Sequence, residues 1–115
     1  MMKKIAMISA VLLMFLSSAV FAEEHADMAL KHTKMAIEHG KKGHAPMLVE
    51  HANEALTHAK KAAEVAKDDS KTHMDAAVRS LESSIEHGKT AGKEHLDAAV
   101  QSAEEAAGHI EAGNK

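Results

Sequence analysis

His25, His32 and His39 stand seven residues apart, with Met28 and Met35 between them. Imidazole is the commonest protein metal ligand and thioether is a soft donor, so this spacing points first to transition-metal binding. At about 100° per residue, a seven-residue step returns to nearly the same side of a helix. The same step climbs about 10.5 Å, at 1.5 Å per residue. Ligand bonds to one ion are near 2 Å, so the three rings do not share an ion. Each needs a partner from its own helix, three or four residues away, or from a facing helix.

Such partners recur along the chain. Met47 and Glu54 separate His44, His51 and His58 just as Met28 and Met35 separate the first three histidines. Asp69 precedes His73 by four residues, and Glu105 precedes His109 by four. His87 and His95 complete the set of ten histidines. The candidate metal ligands are therefore these ten, with Met28, Met35, Met47, Glu54, Asp69 and Glu105. Imidazole and carboxylate suit Cu(II), thioether suits Cu(I), and copper heads the divalent affinity series. Copper is the expected ion, with Ni, Zn and Co open to the same donors. The first half, with six of the histidines and three such methionines, is expected to be the richer.

The elements that position these residues follow from an internal repeat. Four copies begin at His25, His44, His73 and His95: HADMALKHTKMAIEHGK, HAPMLVEHANEALTHAK, HMDAAVRSLESSIEHGK and HLDAAVQSAEEAAGHIE. Each carries His at its first and fifteenth places. The eighth place is His32 or His51 in the first two copies, and Ser80 or Ser102 in the last two.

Apolar residues recur beside this stripe with the 4-3-4 spacing of a bundle helix. They are Ala26, Leu30 and Ile37; Ala45, Val49, Ala52 and Leu56; Met74, Val78, Leu81 and Ile85; and Leu96, Val100, Ala103 and Ala107, with Thr33 the polar member. This seam is expected to be the core. Small residues such as Ala29, Ala36, Ala55, Ala77, Ser84, Ala99 and Ala106 lie between seam and stripe, where they let helices approach. The histidines then flank the core or face water.

Breaks fall at Gly40-Lys41-Lys42-Gly43, at Asp68-Asp69-Ser70 and between Gly88 and Gly92, with Pro46 suited to a first helical turn. The reading is all-α: an antiparallel up-down-up-down four-helix bundle, with helices over about 24–40, 45–67, 71–88 and 93–112. In antiparallel hairpins the histidines of the first two copies mirror one another about the GKKG turn. Those of the last two mirror one another about Ala91. Each hairpin can thus set its histidines level, while a second turn centred near Asp69 would pair His51 with His87.

The chain opens with Lys3 and Lys4, an apolar run from Ile5 to Leu16, and Val20-Phe21-Ala22. That is the pattern of a secretory signal peptide, expected to be cut after Ala22, and the run is short for a span of about 20 apolar residues. The mature chain, residues 23–115, would be a periplasmic monomer with no membrane segment. Without the two leader lysines, 12 basic residues face 17 acidic ones, which argues against nucleic acid as partner. Both phenylalanines leave with the leader, and the chain has no Cys, Trp or Tyr. A domain with so few large apolar units and no disulfide is expected to be modestly stable until something binds it.

The repeated Glu38-His39-Gly40-Lys41 and Glu86-His87-Gly88-Lys89, with His73-Met74-Asp75-Ala76-Ala77-Val78 and its counterpart from His95 to Val100, resemble the SmbP family of small periplasmic metal-binding proteins. The likeness spans the mature chain. It implies an antiparallel four-helix bundle that binds several divalent ions, copper preferred, in copper handling or buffering. No fixed ligand motif comes with it, and Ser80 and Ser102 leave a middle site in the second hairpin in doubt.

The expected function is metal buffering, storage or detoxification, with metal ions as the partners. The alternative is an envelope interaction or pH-sensing module without metal. No enzyme is expected, since no catalytic constellation is recognisable and a di-iron site needs Glu-x-x-His pairs facing the core.

Overall fold

The computed structural model describes the backbone of residues 2–114 and the side chains of residues 21–114. Four helices follow in order: α1 (Met2–Lys41), α2 (Ala45–Val65), α3 (Asp68–Lys89) and α4 (Lys93–Gly113). Two of the turns are closed by glycine in the left-handed region, Gly43 at φ 84° and Gly92 at φ 118°. A Cβ costs energy there. Pro46 sits in the first turn of α2, where its missing N–H loses nothing.

Two boundaries differ from expectation. The first helix begins well before residue 24: α1 passes without a break through residues 22–24, where the leader is expected to end. Most of the leader itself lies outside the residues whose side chains are described. The second connection is only Ala66 and Lys67, and Asp68 and Asp69 form the acidic first turn of α3 instead of a loop. Carboxylates there complement the positive end of the helix dipole. Asp68 takes a positive φ of 55° at this tight junction. No side chain caps the start of α3, and the Ser70 hydroxyl donates to the carbonyl of Gly113, tying the start of α3 to the end of α4.

The helices pack as a ring in chain order, closed by α1 against α4, with little contact across the diagonal. Contacts step in opposite senses along each neighbouring pair. On α1 and α4, Lys34 meets Glu111 and Lys41 meets Glu104. On α2 and α3, Lys71 donates to the Ala63 carbonyl at one end while Leu48 and Val49 face Gly88 at the other. The bundle is therefore antiparallel throughout.

The expected seam is buried at Ala26, Thr33, Ala52, Met74, Leu81, Ile85, Val100, Ala103 and Ala107, and the core extends from it toward the histidines. Ala29, Ala36, Ala55, Ala77, Ala99 and Ala106, expected between seam and stripe, are wholly buried. Leu30, Ile37, Val49, Leu56, Val78 and Leu96 are only partly buried and pack on the margin. Helices come closest where side chains are smallest, so the alanine line becomes the contact axis. The branched aliphatics then seal one flank, and the histidine stripe occupies the other.

Leu48 is the one large residue in that alanine line, and it explains two glycines. A Cβ at Gly40 would overlap Val100 and lie 2.6 Å from a Leu48 methyl; one at Gly88 would lie 2.7 Å from Val49 and 3.0 Å from Leu48. Read as helix stops, both glycines instead sit inside α1 and α3 and make room for this side chain. The two buried hydroxyls are satisfied: Thr33 donates to the Ala29 carbonyl at 2.6 Å, and Ser84 to the Ala99 carbonyl at 2.7 Å, across α3 and α4.

Candidate metal centre

In the first hairpin the alanine axis holds α1 and α2 close enough for their histidine stripes to meet. His25 and His58 bring their Nδ1 atoms to 2.8 Å, and His32 and His51 bring theirs to 3.4 Å. The rings of His39 and His44 lie 6.0 Å apart. The rungs are also joined diagonally: His32 stacks on His58 at 6.1 Å and His39 on His51 at 5.3 Å. Six rings thus form one zigzag, in the order 25, 58, 32, 51, 39, 44.

The second hairpin differs. His73 and His109 lie 5.8 Å apart, and the Nδ1 atoms of His87 and His95 3.3 Å apart. Between these pairs stand hydroxyls: Ser102 meets Ser83 at 3.3 Å, rather than Ser80. The expected meeting of His51 and His87 does not form. His51 is engaged by His32 and His39, and His87 by His95.

Glu54 completes the densest group. Its carboxylate reaches His32 Nδ1 at 3.0 Å, and single donor atoms of His32, His51 and Glu54 all lie within 4.8 Å of one another. Sequence spacing set Glu54 beside the histidines of its own helix; its partner is across the hairpin on α1. The signal was available, because Glu54 lies between two rungs and carboxylates reach a neighbouring helix easily. Asp69 and Glu105 are exposed, and among the described residues neither meets a histidine. Met28 and Met47 are also exposed, whereas Met35 is half-buried.

The donor spacing suits a shared ion. Two nitrogens each about 2.0–2.1 Å from one metal stand about 2.9 Å apart at a right angle and about 3.3 Å apart at a tetrahedral angle. The close Nδ1 pairs span 2.8 to 3.4 Å. Without metal, each such pair needs one protonated and one bare nitrogen to make a hydrogen bond. His39 Nδ1 is buried and has no hydrogen-bond partner among the described residues. An orphaned buried polar atom costs about 1–3 kcal/mol, which an added ligand bond would offset.

Protonation favours the same role. Burial, the neighbouring His25 and His32, and Lys61 hold the pKa of His58 below its usual value, with Glu54 pulling weakly the other way. A neutral ring is the form that binds metal.

The geometry agrees with the comparisons to known proteins. No curated protein matches the chain. The model of a family described as small metal-binding protein matches residues 1–113. With nearly its whole length so matched and its histidines converging in pairs, the chain belongs to the small metal-binding protein family.

Proposed function

We propose that this protein is exported to the periplasm, loses residues 1–22, and buffers or stores copper by taking up several ions along its histidine stripes. The carrying observation is the unbroken zigzag of six rings between α1 and α2. Adjacent donors let an ion bind at one pair without a rigid cage, which suits loading and release in small steps. His32, His51 and Glu54 would hold the best-formed site, mixing imidazole and carboxylate as Cu(II) prefers. Met28, Met35 and Met47 offer thioethers at the edge for Cu(I). His73 with His109 and His87 with His95 supply two further, isolated pairs. Asp69 and Glu105 would join them only after a side-chain rotation toward the rings.

Calorimetric titration of the exported protein with Cu(II) tests this reading. Several equivalents are expected to bind, with most of the uptake lost on replacing His25, His32 and His39 together by alanine. Uptake unchanged in that variant would refute it.

A further inference from the structure

We infer that removal of the leader creates a separate square-planar site for Cu(II) or Ni(II) at the new amino terminus. Its ligands are the α-amino nitrogen of Glu23, the backbone nitrogens of Glu24 and His25, and Nδ1 of His25. The inference rests on the proposed cut after Ala22 and deepens the copper reading.

The chemistry depends on position. A chain beginning Glu23-Glu24-His25 offers amine, amide, amide and imidazole nitrogens in succession. They close two five-membered chelate rings and one six-membered ring around a single ion. Four nitrogens in a plane are a geometry suited to Cu(II) and Ni(II). On binding, the terminal ammonium and the amides of Glu24 and His25 each give up one proton to solvent, and no electron is transferred.

In the uncut chain the site is closed in two ways. The amides of Glu24 and His25 lie within the hydrogen-bonded ladder of α1, which runs Met2–Lys41. In a helix that starts at Glu23 they are among the first four N–H groups, which have no acceptor in the helix. In addition, the Phe21 ring stands edge-on to the His25 ring, 4.2 Å between centroids and at 72°. Cleavage frees the amides and removes this cover together. The side chains of Glu23 and Glu24 are exposed and add negative charge, whereas Ala26 is only 1% exposed and anchors the helix just beyond. Unwinding is thus confined to the residues that bind.

The site would stand at the mouth of the ladder. His25 Nδ1, the atom that takes the ion, lies 2.8 Å from His58 Nδ1, the next ring of the zigzag.

The test uses the exported protein, purified after processing, with its mass fixing the cut. A chain beginning at Glu23 is expected. One equivalent of Cu(II) should give the visible band of a square-planar four-nitrogen complex, and Ni(II) a diamagnetic one. Alanine inserted between Glu23 and Glu24 moves the histidine to fourth place, keeps every imidazole, and should abolish both signals. The uncut full chain should lack them too. A different amino terminus, no such band in the processed protein, or a band that survives the insertion would overturn the inference. Calorimetric uptake of further Cu(II) by the insertion variant reports on the ladder independently, so the two readings fail separately. Circular dichroism shows whether that variant keeps its helices.

Discussion

The two hairpins share one repeat and divide its uses. In α1 and α2 the deeply buried side chains are almost all alanine, with Leu48 the large exception, and six histidine rings run in contact along the flank. In α3 and α4 the core holds Met74, Leu81, Ile85 and Ile110, and four histidines form two separate pairs with serines between them. A methyl buries far less apolar surface than a leucine, so the second hairpin carries more of the hydrophobic stabilisation. Two helices that meet through methyl groups come close enough for rings on their flanks to touch. The ring pairs of the second hairpin come as close, so its lower ligand density follows from Ser80 and Ser102 at the middle rung and not from wider helix spacing.

The hardest blow to that comparison is Leu81→Ala. Leu81 is wholly buried, and its truncation is expected to cost about 2–5 kcal/mol, enough to unfold much of a lightly built bundle. Urea unfolding measures it. If the first hairpin depends on the second for support, Cu(II) should restore a good part of the lost stability, because metal binds the folded state preferentially. A loss below about 1 kcal/mol would mean that the hairpins stabilise themselves equally.

The middle of each hairpin gives a more selective test. His51→Ala removes the ring that links His32 to His39 and should weaken copper uptake in the first hairpin by at least about tenfold. Replacing both Ser83 and Ser102 by His puts two rings where the hydroxyls now lie 3.3 Å apart. That variant should bind more Cu(II) by calorimetry than the parent. If neither change moves the stoichiometry, continuity of the stripe has no bearing on uptake.

Much of this was legible in the residues, and the failures have physical causes. The mirror positions of histidines about the Gly40–Gly43 turn put His25 level with His58 and His32 level with His51, because equal spacing and a fixed turn set an antiparallel register. The seam is buried at Ala26, Ala52, Met74 and Leu81 as expected, but burial also reaches Ala29 and Ala55, because a hydrophobic pattern weighs Leu30 and Val49 above them whereas close packing selects the small ones. Gly40 and Gly88 carried a stop signal, and only the position of Leu48 in a neighbouring helix reveals them as packing sites. Diagonal stacking such as His32 on His58 depends on the stagger between helices, a fraction of a turn that spacing alone does not fix. Phe21, read from the sequence as part of an expected leader, touches the first ring of the stripe, a contact that spacing does not announce.

The smallest expected effect concerns pH, and it rests on a single ring of the first hairpin. His58 has its pKa lowered in the fold, chiefly by burial and then by the positive charge of His25 and His32. An unfolded histidine keeps a value near 6.5. Between the lowered value and about 6.5 the unfolded chain therefore binds more protons than the folded one, and stability rises with pH. Above about 6.5 both states hold His58 neutral, and its contribution is fully present. As pH falls through the lowered value, that contribution is lost. Thermal unfolding followed downward from neutral pH without metal should therefore show Tm falling, and His58→Gln should flatten the slope. An unchanged slope in that variant would show that the burial of His58 among the rings of the first hairpin does not control proton binding.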